Sequence, residues 1–337
     1  MGLIGEGSHV SCEVAVVVVG YNSRRWLPEC LGSLMAATKP DRDMVVFVDN
    51  GSQDGSAAWV AANHPRVRVE KNKRNLGFAV ASNQGLRSGL AAGARMLFLL
   101  NPDTRTPQDL IEGLLDFLDS HPDYGVVGPF QAEYRSCAAG CTAPSIPNSW
   151  TKHALENGLR HAFHHWDSSL PPVTSARPTN GTFEHAYVQG AALAVRADVL
   201  RAIGFLDERY GSFYEEVDLC RRARWAGYRV ALLRELWVEH AEGSVGAPSP
   251  YRAFHMTRNR YLHLFTDPEI GLRKTLRLSM AWVHDDLCRQ LPAPSGLVTS
   301  RLQYVRIWGS LIRMAPHILT RRNANRRLSE LQLGVVQ

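Results

Sequence analysis

Four short apolar segments, each running into a polar cluster and then a helical pattern, dominate the first third of the chain. Val14–Val19 is β-branched throughout and ends at Gly20-Tyr21-Asn22-Ser23. Met44–Val48 ends at Asp49-Asn50-Gly51-Ser52, and Val67–Glu70 leads to Asn72-Lys73-Arg74-Asn75-Leu76-Gly77. The fourth segment, through Leu97-Phe98-Leu99-Leu100, stops abruptly at Asn101-Pro102-Asp103-Thr104. Uninterrupted apolar runs are buried on both faces, which is how parallel strands read. Strands alternating with helices predict a parallel sheet covered on two sides. Pro102 cannot donate to a ladder, so the fourth strand ends there and Asp103 projects from its carboxyl end. In open α/β sheets that end is where ligands bind.

The remainder of the chain is less regular. A helix is expected through Leu110, Leu114, Leu115 and Leu118, then a strand at Val126-Val127-Gly128. Residues 131–180 lose periodicity and read as a long functional loop. His161, His164 and His165 fall inside it and are taken as surface or acceptor-loop residues. Ala191–Val195 is apolar again. Phe213-Tyr214-Glu215-Glu216-Val217-Asp218-Leu219-Cys220 opens an arginine-rich helix that closes at Gly227, and strands follow at Val230–Leu233 and Trp237–His240. A Gly/Ser/Pro linker from Gly243 to Pro250 precedes two or three helices.

At 337 residues and 45% apolar, the chain can bury a large core. The N-terminus lacks a basic segment followed by a long apolar one, so a secretory signal is not expected. Six cysteines lack framework spacing and read as reduced thiols; Cys137 and Cys141 form the one close pair. These features place the protein in the cytoplasm. The net charge of +6 is uneven, with +8 lying beyond Gly271. A basic tail on a near-neutral body suits an anionic partner. Two uses of the tail stand side by side: packing or a homo-oligomer contact with a solvated charged face, and a peripheral contact with the inner face of a membrane.

Each candidate residue has a functional and a structural reading. Asp103, preceded by Asn101, could hold a divalent cation against a diphosphate, or could cap the helix after Pro107. Asp49 could accept from a base or ribose, or could close a tight turn. Gly77 opens a helix start where anions are favoured. Glu215, Glu216 and Asp218 could supply a general base, or could complement a helix dipole. His240 could be a ligand or a structural histidine. No Gly-rich dinucleotide or P-loop signature is present.

Taken in order, these pieces resemble the family 2 glycosyltransferases, rhamnosyltransferase-like members above all, over about residues 14–262. The motifs are Val19-Gly20-Tyr21-Asn22, Asp49-Asn50-Gly51-Ser52, Asn75-Leu76-Gly77-Phe78-Ala79 with Asn83, and Leu100-Asn101-Pro102-Asp103-Thr104. Gly190-Ala191-Ala192, Gly204-Phe205-Leu206-Asp207-Glu208, Phe213–Leu219 and His240 complete the set. The resemblance implies a GT-A fold: an α/β architecture with a mostly parallel twisted sheet, helices on both faces, and here a C-terminal helical extension. It divides the chain into a leader (1–13), a catalytic domain (14–245, with a nucleotide half 14–104 and an acceptor half 105–245) and a basic extension (246–337).

The resemblance also implies inverting transfer of a sugar, rhamnose or another hexose, from a dTDP- or UDP-sugar to an acceptor hydroxyl. That acceptor would be a lipid-linked glycan or a small natural product; nucleic acid is not an expected partner. Carried over by position, Gly20, Tyr21, Asn22, Asp49, Asn75, Gly77, Asn101 and Asp103 would line the nucleotide-sugar pocket. Asp103 and His240 would bind Mg²⁺ or Mn²⁺, and Glu216 or its neighbour Glu215 would be the base. Two departures stand out. Asn101 is neutral where the family often has Asp-x-Asp, and Glu-Glu replaces Glu-Asp, leaving the base to be chosen between two residues. A nucleotidyltransferase and a non-catalytic nucleotide-sugar-binding subunit are the alternatives.

Overall fold

The computed structural model describes residues 12–133, 182–184, 187–241, 249–288 and 301–334. The leader up to residue 11, the cysteine pair and histidines between 134 and 181, and linker residues 242–248 lie outside the described residues. Strands β1 (Val14–Gly20), β2 (Asp43–Asp49), β3 (Arg68–Lys71) and β4 (Met96–Leu100) lie in the order β3-β2-β1-β4, all parallel. Helices α1 (Leu27–Ala37), α2 (Ser56–Asn63) and α3 (Phe78–Ala91) make the crossovers. The strand order reverses between β1 and β4, so the carboxyl ends of these two strands flank the crevice.

β1 is buried along its whole length, and its alternate residues feed two different cores. Val14, Val16 and Val18 pack with Leu27, Leu31 and Leu34 of α1 and with Leu110, Leu114 and Leu118 of α4 (Leu110–Ser120). Ala15, Val17 and Val19 face the opposite layer with Ala79, Ala81 and Leu86 of α3. A β-branched run with no polar residue fits this position, because both faces of the pleat are covered.

Beyond β4 the sheet becomes mixed. β8 (Ala192–Arg196) runs antiparallel to both β4 and β6 (Tyr124–Glu133); β6 runs parallel to β9 (Arg229–His240). The short strands β5 (Thr104–Arg105) and β7 (Thr182–Glu184) lie antiparallel on β9. The parallel character is therefore confined to the nucleotide half and the β6–β9 pair. β9 absorbs the two short strands expected at its ends into one, with a register shift opposite Pro129/Phe130.

The path β4-β8-β6-β9-β5 fixes the curvature of the sheet. In a flat sheet four strand spacings would separate β4 from β5 by about 19 Å. Yet only Asn101, Pro102 and Asp103 join Leu100 to Thr104, and that link reaches about 14 Å at most. The sheet therefore curls, bringing the end of β9 round to the end of β4. The turn is pinned by Thr104 Oγ1 donating to the Asn101 carbonyl (2.7 Å) and by the Asn101 N–H donating to the Ala191 carbonyl (2.9 Å).

Helices α5 (Ala197–Ile203) and α6 (Glu215–Trp225) lie on the face of α3, followed by α7 (Pro250–Phe265), α8 (Leu272–Cys288), α9 (Arg301–Arg313) and α10 (Ala315–Gly334). The C-terminal helices continue the core of the sheet: Tyr261, Leu262, Trp282, Ile307, Leu311 and Met314 belong to the same buried cluster as Val17 and Leu219. Pro250 sits in the first turn of α7, behind Ser249, whose hydroxyl accepts the Arg252 N–H (3.1 Å).

Asp218 is the polar centre of this side. It is fully buried and takes Arg222 Nε at 2.7 Å and Arg221 Nη2 at 3.2 Å. Arg222 also donates to the Ile203 and Phe205 carbonyls at the end of α5, and Arg221 to the His263 carbonyl and Thr266 Oγ1 on α7. Burial opposes the charge of Asp218, but Arg222, Arg321 and Arg221 hold its carboxyl well below the usual carboxylate range. Its stabilising contribution is therefore complete at neutral pH and is lost only as pH falls through that depressed pKa. Asp218→Asn leaves two buried guanidinium groups uncompensated and should destabilise the fold at neutral pH by about 3–5 kcal/mol, read as a lowered urea midpoint. An unchanged midpoint would remove Asp218 from the centre of the network.

Candidate active site

At the carboxyl edge of β1, β2 and β3 three loops are knitted together. The Asn50 N–H donates to the Gly20 carbonyl (2.8 Å), and the Asn22 N–H donates to Ser52 Oγ (2.9 Å). Asn22 Oδ1 accepts the Gln53 N–H (2.9 Å) from a left-handed backbone (φ 51°) that asparagine tolerates. Asp49, buried, accepts the Ser52 N–H on Oδ1 (3.0 Å), which closes its own turn. Asn50 donates to Asn75 Oδ1 and the Gly77 carbonyl, and accepts from the Leu76 N–H and Asn72 Nδ2. Gly51 (φ 85°) lies so near residue 74 that a Cβ would stand 2.4 Å from the Arg74 carbonyl carbon. Tyr21 is half exposed beside this floor.

The curl of the sheet completes the second wall. Asp103 is buried, and its Oδ1 lies 3.3 Å from His240 Nε2; Asn101 Nδ2 stands 3.5 Å from the same nitrogen. His240 Nδ1 faces Gln131 Oε1 at 3.2 Å. As the donor in that bond, Nδ1 leaves Nε2 with a lone pair directed at a carboxylate. With that tautomer a carboxylate and an imidazole nitrogen converge, and together they could hold a divalent cation. Among the described residues no third His, Cys, Asp or Glu joins them, so diphosphate oxygens and water would complete the shell. The neighbouring helix α4 starts at Leu110 behind Asp109, so Asp103 is not its cap.

Across the 190–191 turn stands the acidic pair. Phe213 (φ 69°) and Tyr214 (φ 72°) are both left-handed, although neither is glycine. Such residues cost about 1–3 kcal/mol each, so something else must hold them. Asn259 on α7 supplies it: its amide nitrogen faces the carbonyls of Tyr210, Ser212 and Phe213 at 2.7–2.9 Å. Arg258 Nη2 donates to the Arg209 and Tyr210 carbonyls. The strained turn sets the start of α6 and aims its first residues. It also abuts the nucleotide half, where Gly211 lies against Gly77 (φ 89°), leaving no space for a Cβ at 77, and accepts the Ala79 N–H (2.9 Å).

Glu215 is 3% exposed, whereas Glu216 keeps partial exposure beside Gly190 and Phe78. Burial, then the charge of Glu216, push the Glu215 carboxyl well above its ordinary range. Burial raises Glu216 too, opposed by the peptide groups of Glu216, Val217, Gly190 and Tyr214. The pair therefore holds fewer than two charges near neutrality, and Glu216 is the member better placed to carry one. One oxygen of each carboxyl is buried without a hydrogen-bond partner.

Residues 15–140, from β1 through β6, match the model of glycosyl transferase family 2. An N-acetylglucosaminyl-diphospho-decaprenol L-rhamnosyltransferase of Mycobacterium tuberculosis is 28% identical over 291 residues, 79% of this chain and 90% of that protein. The chain carries a family 2 glycosyltransferase domain. The dTDP-rhamnosyl transferase RfbF of Shigella flexneri is 24% identical, covering 76% of this chain and 81% of RfbF. The mannosyltransferase PcManGT of Pyrobaculum calidifontis, solved with GDP-Man and Mn²⁺, superposes with a TM-score of 0.55 at 16% identity, over 94% of this chain and 86% of that one. S. aureus TarS 1-349 superposes with a TM-score of 0.53 at 14% identity, over 94% and 89%. These structural likenesses identify the α/β GT-A fold.

The glycosyltransferase thus brings all the expected site residues to one edge of the sheet, but with unequal duties. Asn75 and Asp49 each give a carbonyl or carboxylate oxygen to folding their loops. Asn50, beside Asp49 in the same loop, carries the loop network. Gln131 had no signal, since its only visible duty is to a histidine 109 residues away. Arg258 and Asn259 clamp the backbone before Glu215. The raised carboxyl of Glu215 has a stability signature. Unfolded glutamate ionises near pH 4.3, so the wild type should lose stability as pH rises from there through the elevated folded pKa. Glu215→Gln lacks that loss, and its thermal midpoint should exceed the wild-type value by an amount that grows with pH. A gap independent of pH would contradict a buried, raised Glu215.

Proposed function

We propose that the enzyme is an inverting transferase that moves rhamnose, or another hexose, from a dTDP- or UDP-sugar to a hydroxyl of a lipid-linked glycan. The observation that carries this reading is the placement of Asp103–His240 and Glu216 on opposite sides of the 190–191 turn at one sheet edge. The sequence relatives, a decaprenol-linked rhamnosyltransferase and a dTDP-rhamnosyl transferase by their names, favour rhamnose as the sugar and a lipid diphosphate over a small natural product as the acceptor.

The loops after β1, β2 and β3 form the floor for the nucleoside, with Tyr21, Asn22 and Asp49 at its rim and Gly77 admitting close approach to the helix start. Asp103 and His240 would hold a divalent cation, which would supply positive charge to the leaving diphosphate. Asn101 is neutral, so it lends the site an amide rather than a second carboxylate. Glu216 takes the proton from the acceptor hydroxyl while that oxygen bonds to the anomeric carbon. The bond from that carbon to the diphosphate breaks on the opposite face, and the nucleoside diphosphate departs with the electron pair. One displacement of this kind inverts the anomeric centre and needs no covalent nucleophile. Glu215, buried and protonated, keeps a second negative charge away from the base.

Glu216→Gln should keep nucleotide-sugar affinity by calorimetry while transfer falls by at least about a hundredfold, the low end of general-base contributions. Full activity in that variant would sink the assignment. In the wild type the acid limb of the kcat profile should lie above the ordinary carboxylate range, because the base must be ionised and its pKa is raised. Asp103→Ala and His240→Ala should each abolish Mn²⁺-dependent strengthening of nucleoside diphosphate binding in the same titration. Undiminished metal dependence in both would place the cation elsewhere.

A further inference from the structure

α8 packs one face on the core and keeps a second apolar ridge on its outer face. Its buried positions are Thr275, Ser279 and Trp282, and the two hydroxyls donate to backbone carbonyls of Ile270 and Leu276. Leu278 and Val283 also pack partly buried against that core, whereas three further large apolar residues point outward: Leu272, Leu276 and Met280 are 68%, 51% and 65% exposed. They recur at i, i+4 and i+8, which makes one continuous ridge. Arg273, Lys274 and Arg277 are exposed beside that ridge. α9 repeats the arrangement. Tyr304, Ile307 and Leu311 pack inward, while Leu302, Val305 and Ile312 are exposed, with Arg306 and Arg313 between them.

None of these five cations forms an ion pair among the described residues; the acids of α8, Asp285 and Asp286, come only in its last turn, beyond the ridge, and residues 301–313 contain none. A solvated face would carry charges of both signs and few aliphatic groups. Here apolar ridges are edged by positive charge alone, the pattern of helices that lie in a lipid interface with their cations among phosphates. Both helices are seated on the same residue of α7: Trp282 lies 5.6 Å and Trp308 5.2 Å from the Tyr261 ring. α7 also carries Arg258 and Asn259, which clamp the turn before Glu215. No helix among the described residues is long and apolar enough to cross a membrane, so this contact is peripheral.

We propose that the outward faces of α8 and α9 dock on an anionic bilayer. A second copy of the chain is the poorer occupant, because a two-fold contact would set like cationic ridges against each other. The proposal goes beyond the sugar-transfer reading and does not depend on Glu216 or Asp103. Deleting residues 271–337 is an unsuitable probe, since Trp282, Ile307, Leu311 and Met314 belong to the shared core. Point variants of exposed residues leave that core intact.

The test is flotation of the full-length protein with phosphatidylcholine vesicles, with and without phosphatidylglycerol, alongside light scattering. The wild type should float with the phosphatidylglycerol vesicles and lose them at high salt. Neutralising Arg273, Lys274 and Arg277 to Gln should weaken partitioning roughly a hundredfold, at about fivefold per charge. Leu276→Glu with Met280→Glu should abolish flotation while keeping the thermal midpoint and the turnover of a water-soluble acceptor analogue. Glu216→Gln should float like the wild type, which separates this proposal from the catalytic one. Absence of flotation by folded wild type, or equal flotation by the α8 variants, would overturn the proposal. So would a wild-type dimer that the leucine and methionine variants convert to monomer without affecting flotation.

Discussion

The reach of three residues governs this molecule. Asn101, Pro102 and Asp103 connect two strands that stand at opposite ends of a five-strand path, and a chain that short cannot bridge a flat sheet. The sheet must curl until β5 meets the last turn of β9. Thr104 then pairs with His240 and Arg105 with Glu239, and their side chains reinforce the register: Arg105 forms an ion pair with the buried Glu239. The same closure puts an imidazole against a carboxylate that is 137 residues away in sequence. The meeting of Asp103 and His240 is thus a by-product of chain connectivity.

A second constraint acts from the other side. Two aromatic residues in left-handed conformations precede the acidic pair, and one asparagine amide on α7 holds them there. The helix they start is anchored by Asp218 between two buried arginines, and the ends of α5 and α7 are tied to those arginines. Arg321 and His317 of α10 reach Asp207 at 3.1 and 2.9 Å, so the last helix braces the same corner. The position of Glu216 is therefore set by residues spread over four helices. Its electrostatics follow from the same packing, because burial raises both carboxyls and proximity lets only one of them ionise readily.

Much of this was legible beforehand, and for a physical reason. Burial on both faces demands an unbroken apolar strand, so β1, β2 and β4 announce themselves, and polar loops at their carboxyl ends announce the crevice. The helix from Glu215 and its end near Gly227 were readable from charge and glycine. What was not legible were relations between distant residues. Antiparallel β8 looks in sequence like any apolar run, and β5 is two residues long. The duty of Asn259 is to carbonyl oxygens, which every residue possesses, so no sequence signal marks it. The C-terminal helices differ in composition, and the sequence left open whether they pack on the body; their buried residues join the core of the sheet.

The sequence by itself determined the parallel nucleotide half, the set of polar residues at its edge, and the acids from which a base could be drawn. These follow from local rules: periodicity, β-branching, proline, glycine and charge act over a few residues. Only the tertiary structure decided that His240 meets Asp103, that Glu216 rather than Glu215 keeps access to solvent, and that Leu272, Leu276 and Met280 face outward. Each of those depends on which surfaces cover one another. That is settled by chain connectivity and packing across the whole fold, quantities that no window of neighbouring residues contains.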